Sequence, residues 1–152
     1  MSSLILTVLA CAPPDYSGPE PAVPSITLLF PSPEFYSSGE VGRDVCPDFQ
    51  VVVAVENFQL VEANSVDVEG EGHWHLHLDD PDLVSYLQVG SGEVVDLDEP
   101  LTLGNHTLYA ALRQNTHAPL PSDMVVDGSD VSLAEITVAD SEDCIGNKNS
   151  GS

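Results

Sequence analysis

Glu71-Gly72-His73-Trp74-His75-Leu76-His77-Leu78 alternates without a break between an apolar set and an imidazole set. Period two is the signature of a β-strand, because successive side chains leave the backbone on opposite faces. Trp74, Leu76 and Leu78 share one face, and His73, His75 and His77 share the other. The apolar face must meet a core, which puts Trp74 at its centre and leaves the His row on the solvent side of the sheet. Working outward, short apolar or alternating runs recur at 26–30, 49–55, 83–89, 94–97, 107–113 and 131–138, separated by Gly and Pro. No window carries a 3.6-residue stripe. About seven short strands at this spacing predict an all-β chain, an immunoglobulin-like antiparallel β-sandwich. The predicted domain covers residues 25–145, with a flexible tail at 146–152.

One corner of that sandwich is readable. Leu101-Thr102-Leu103-Gly104-Asn105-His106-Thr107-Leu108 has the L-x-x-G-x-[Tyr/His]-x-L form found where such a chain crosses between sheets. The ring at the sixth position hydrogen-bonds back to nearby backbone. His106 shares parity with Leu108, Ala110 and Leu112, so it is expected to face the core and to be structural. The Asn105-His106-Thr107 sequon is read as accidental.

The His row is the one constellation with chemistry. Same-face residues two apart on a strand lie roughly 6.5–7 Å apart, close enough for His73 and His75 to chelate one ion. If the strand at 74–78 runs antiparallel to the one at 107–113, the start of the first neighbours the end of the second. His117, on the outward odd parity if that second strand continues, would then arrive beside His73 and His75. Three neutral imidazoles suit Cu²⁺ or Zn²⁺, with Glu71 or Asp79 available to complete the shell. Affinity should fall below about pH 6.5 as free imidazoles protonate. Two acidic runs, Asp79-Asp80-Pro81-Asp82 and Asp67 with Glu69 and Glu71, offer oxygen ligands to calcium. Neither has the EF-hand pattern, and both read as solvated surface.

Composition narrows the function classes. The 152 residues are 42% hydrophobic, enough for a core, and carry 25 Asp and Glu against 3 Lys and Arg for a formal net charge of −22. Phosphate-mediated nucleic-acid binding needs clustered Lys and Arg, so it is excluded. Adsorption to anionic lipid fails for the same reason. Cations and basic protein surfaces are the partners this field attracts. There is no phosphate loop, G-x-S-x-G elbow or H-E-x-x-H, so no enzyme is indicated.

Residues 1–10 form a short apolar run ending Val8-Leu9-Ala10-Cys11, followed at once by Pro, Gly and acid. This resembles a bacterial lipoprotein signal peptide, in which Cys11 is lipidated and the Pro-rich stretch at 11–24 becomes a tether. Lipidation of Cys11 leaves Cys46 and Cys144, an even pair in an exported protein, for which a disulfide is expected.

With those features in hand, Val53-Ala54-Val55-Glu56-Asn57-Phe58, the GEGHWHLHLD stretch at 70–79, Leu103-Gly104-Asn105-His106-Thr107-Leu108 and Gln114-Asn115-Thr116-His117-Ala118-Pro119-Leu120 support a family likeness. The chain resembles the uncharacterised, exported Gly-His-[Trp/His]-His domains of Gram-negative bacteria. That resemblance implies a short immunoglobulin-like sandwich, often lipid-anchored, in which His73, His75, His106 and His117 recur and His77 is particular to this chain. It implies no activity. The expected function is a non-catalytic binding or interaction domain, lipid-tethered in the cell envelope at the outer membrane or surface. The alternative is a periplasmic or surface Cu/Zn-binding lipoprotein using the His cluster.

Overall fold

The computed structural model describes residues 22–31, 44–142 and 144–146. The expected signal, Cys11, most of the tether and most of the tail lie outside the described residues. The strands are β1 (Ser25–Phe30), β2 (Gln50–Glu56), β3 (Gln59–Leu60), β4 (Glu71–Leu78), β5 (Gln88–Gly90), β6 (Val94–Asp96), β7 (Gly104–Gln114) and β8 (Val131–Val138). One sheet has the order β1-β2-β6, the other β3-β4-β7-β8 with β5 also on β4. The pairings between these strands are antiparallel except the short parallel contact of β3 with β4, and Val45 adds isolated parallel bridges to Val138 and Ile145. The protein is therefore all-β, two sheets packed as a β-sandwich.

Alternation decides what meets inside. Ile26, Leu28 and Phe30 of β1 and Val51 and Val53 of β2 point inward from one sheet. Trp74 and Leu76 of β4, Leu108, Ala110 and Leu112 of β7, and Ala134, Ile136 and Val138 of β8 answer from the other. On β8 the intervening Leu133, Glu135 and Thr137 are exposed, the usual division for a sheet wet on one side. Trp74 is fully buried and donates its indole N–H to the Gly92 carbonyl at 2.8 Å. Gly90 lies directly across the β4–β5 ladder from Trp74, and a Cβ there would run into the indole ring.

Two strand expectations need correction. The run at 83–89 is not one strand: only Gln88–Gly90 pairs, and the preceding residues form a loop. Asp80 causes this, because its Oδ2 accepts the backbone N–H groups of Val84 (2.9 Å) and Ser85 (2.7 Å), which a ladder would otherwise use. Leu83 also takes a left-handed φ of 55°. The second correction concerns β4. It is buried on both faces rather than one, with burial unbroken from Gly72 to His77.

Cys46 and Cys144 are disulfide-bonded, as expected. The bridge joins the segment entering β2 to the segment leaving β8. Around it, Cys46 N–H donates to Ile145 O at 2.9 Å and Val45 N–H to Thr137 O at 2.8 Å. The bonded cysteines are 98 residues apart in sequence. Cross-linking a loop that long removes much denatured-state entropy, a contribution of about 2–5 kcal/mol. Cys46→Ala with Cys144→Ala should lower the unfolding free energy by that amount in urea, and the wild type in reductant should follow the variant.

Candidate metal centre

His73, His75 and His77 occupy the outer face of β4, opposite Trp74 and Leu76, as the alternation requires. That face was expected to be wet. Instead the three side chains are 0%, 3% and 0% exposed, because loops fold over it. From one side comes the loop shaped by Asp80. His77 holds it down, its Nδ1–H donating to Ser85 O at 2.9 Å, and the next residue, Tyr86, lays its ring against His75 with centroids 4.1 Å apart. At the other end, the segment after β3 clamps the turn that follows β7. Asn64 N–H donates to Asn115 O at 3.0 Å and Asn115 Nδ2 to Val66 O at 3.0 Å. The Asp67 carboxylate accepts from Thr116 N–H and Thr116 Oγ1, both at 2.9 Å.

That clamped turn carries His117. β7 ends at Gln114, so His117 does not reach the site by continuing strand parity. It is swung in by the turn, with a left-handed φ of 68° and its N–H bonded to Gln114 O at 3.0 Å. The antiparallel register of β4 with β7, His73 opposite Arg113, places this turn over the His row as the sequence predicted.

Three ring nitrogens meet there. His73 Nε2 is 3.0 Å from His75 Nε2 and 3.1 Å from His117 Nδ1, and His75 Nε2 is 2.9 Å from His117 Nδ1. No other group of three His, Cys, Asp or Glu among the described residues converges in this way. Burial pushes His73 down from 6.5 to about 4, helped by the charges of His117 and Arg113. Burial, then the neighbouring His73 and Arg113, takes His75 to about 3. Both rings therefore stay neutral well below the pH at which a free imidazole protonates. His77 is also lowered by burial, but its proton is committed to Ser85 and it stands outside the cluster.

The carboxylates expected to complete the shell are not part of the cluster. Asp79 faces the sheet-crossing corner, where its Oδ2 meets His106 Nδ1 at 2.7 Å and its Oδ1 accepts Thr107 N–H at 2.7 Å. Asp67 accepts from the Thr116 N–H and hydroxyl, and Asp80 Oδ2 accepts two backbone N–H groups, so both carboxylates hold loops in place. Glu71 joins no converging group. The sequence could not show the partners of Asp67 and Asp79, because each bonds to residues near it only in the fold.

His106 makes the predicted back-bond, with Nε2 donating to Thr102 O at 2.9 Å. It is not a purely inward residue: its side chain is 10% exposed and paired with Asp79. Both ring nitrogens face oxygen acceptors, so the imidazolium is favoured, and the Asp79 hydrogen bond raises its pKa above 6.5. Asp79 in turn is lowered from 3.8 by the His106 bond. A raised His contributes fully below 6.5 and loses its contribution as pH rises through the folded value; a lowered Asp contributes above 3.8 and loses it on acidification. The stability advantage of wild type over His106→Gln should therefore peak between those values and shrink towards alkaline pH. Asp79 is half exposed, so water screens the pair and the difference should be no more than about 1 kcal/mol. Thermal melts of both proteins across pH check this.

Fold and site together define a β-sandwich with a three-imidazole cluster on the outer face of one sheet, in which His73 and His75 are buried and His117 is exposed. No family model, curated protein or solved structure matches the chain.

Proposed function

We propose that this protein is a Cu²⁺- or Zn²⁺-binding domain whose ligands are His73 Nε2, His75 Nε2 and His117 Nδ1. The observation that carries this reading is the mutual approach of those nitrogens to 2.9–3.1 Å. The His73 and His75 rings are neutral, and three nitrogens facing one point cannot all be satisfied by hydrogen bonds among themselves, so lone pairs stand opposed. A cation bound to all three removes that repulsion, and metal–nitrogen bonds of about 2.0–2.1 Å fit such a triangle. Lipid tethering through Cys11 in a bacterial envelope, and kinship with the exported Gly-His-[Trp/His]-His domains, complete the proposal. The disulfide supports an oxidising compartment. The strand order, β1-β2-β6 against β4-β7-β8, supports an immunoglobulin-like sandwich.

Calorimetric titration with Cu²⁺ and with Zn²⁺ tests the reading. One ion per chain is expected, held by chelation and little weakened by added salt. Many weak sites that vanish at high salt would mean that the acidic surface merely collects ions.

A second reading, a recognition domain for a basic partner, is favoured by a groove of about 320 Å³ with Phe58, Leu120 and Met124 among its lining residues and Glu69, Glu71 and Asp123 around them. Binding of a Lys-rich peptide that Glu69→Lys and Glu71→Lys abolish, and that the His substitutions leave intact, separates this reading from the first.

A further inference from the structure

Arg113 is the only Lys or Arg among the described residues. In a chain with 25 acidic residues it would be expected on the surface, paired. It is instead 5% exposed, on the outer face of β7, directly opposite His73 in the ladder. Its Nη1 donates to Leu112 O at 3.0 Å, and among the described residues no carboxylate lies within ion-pair distance of it. Asp130 acts on it only at longer range. A guanidinium carries five N–H donors and its charge is costly to bury unpaired. Placing that charge beside a site for a divalent cation compounds the cost, unless a negative group arrives with the ion.

The geometry of the cluster leaves room for one. With bonds of about 2.0–2.1 Å, a nitrogen triangle of this size sets N–metal–N angles of about 95° and holds the ion ~1.1 Å outside the nitrogen plane. That is narrower than a tetrahedron, so the ligands crowd one side of the ion and leave the other side open. Three neutral imidazoles also leave its double charge uncompensated.

We propose that the ion at His73, His75 and His117 is bound together with a small oxyanion of the carboxylate or bicarbonate class, one oxygen on the open side of the ion and the rest against Arg113. The inference rests on the metal-binding reading above. Partners of a register pair on one face have Cβ atoms about 4.5–5.5 Å apart, so the Arg113 side chain starts within an anion's span of the His73 ligand. The planar guanidinium fork matches a carboxylate edge. Tyr86, half exposed, is stacked parallel to His117 with ring centroids 6.1 Å apart.

The test uses the Cu²⁺-loaded full chain titrated with acetate and, separately, bicarbonate in a non-coordinating buffer, followed by the visible and electron paramagnetic resonance spectra of the ion. A saturable change at one anion per ion is expected. Arg113→Met should weaken anion binding by about tenfold or more, since a charge-assisted bond is lost. Arg113→Lys, which keeps the charge but not the fork, should fall between and stands in if the Met variant does not fold by circular dichroism. By linkage, acetate should tighten Cu²⁺ binding to the wild type by the factor with which Cu²⁺ tightens acetate. If the wild type takes up Cu²⁺ but its spectrum ignores both anions, or if Arg113→Met binds them as tightly, the inference is overturned and the metal site stands. If the wild type takes up no Cu²⁺ with or without the anions, both fall together.

Discussion

Trp74→Ala should remove about 3–5 kcal/mol of folding stability, a large share of the roughly 5–15 kcal/mol that a domain of this size possesses. The indole is the largest fully buried side chain, on the strand that joins β3, β5 and β7. Its loss leaves a cavity that strands on both sides cannot close, and it strips the Gly92 carbonyl of its donor. Trp74→Phe separates the two effects: it keeps most of the volume and should cost about 1–3 kcal/mol, chiefly for the unpaired carbonyl. Gly90→Ala attacks the same contact from the other side, since the new methyl would occupy the space of the ring. It should destabilise by about 1–3 kcal/mol as β5 is pushed from β4. Urea unfolding followed by circular dichroism measures all three. Fluorescence serves only for Gly90→Ala, because Trp74 is the chain's single Trp.

Much of this was legible in the sequence because period-two alternation is a local property. His73-Trp74-His75-Leu76-His77 announces its two faces whatever surrounds it, and the 131–138 run coincides with β8 to the residue. The His73, His75 and His117 grouping was expected from strand direction and from a continued outward parity at His117; the direction holds, but the turn after Gln114 rather than parity delivers the ring. Two things were not legible. An apolar run such as Leu83-Val84-Ser85-Tyr86-Leu87 looks like a strand until Asp80 is seen to capture its N–H groups, and that capture depends on loop shape. The covering of the His face was equally hidden. It arises from side-chain clasps, Asp67 on Thr116 and His77 on Ser85, between residues whose types alone predict only polar surface. Burial of the His row, which lowers the pKa of all three imidazoles, is thus a tertiary consequence with no local signal.

Those clasps set a ranking for the metal site that substitution can expose. His75→Ala should weaken Cu²⁺ or Zn²⁺ binding by more than the 10–100-fold typical of a residue that only positions a ligand. Its Nε2 is one corner of the nitrogen triangle, and among the described residues no fourth His, Cys, Asp or Glu stands within the group to replace it. Substituting His73, His75 and His117 together should abolish stoichiometric binding and leave only salt-sensitive uptake by the acidic surface. Asp67→Ala touches no ion, yet it frees the turn that holds His117 in its left-handed conformation. It should cost about 10–100-fold, and free imidazole should restore part of the loss by filling the vacated corner. His77→Ala should leave the affinity within about threefold, since its ring is spent on Ser85 and its loss shifts only the loop beneath Tyr86. Calorimetry across the four variants checks the ranking. Equal affinity in the wild type and the triple variant would show that the converging imidazoles are not the ligands.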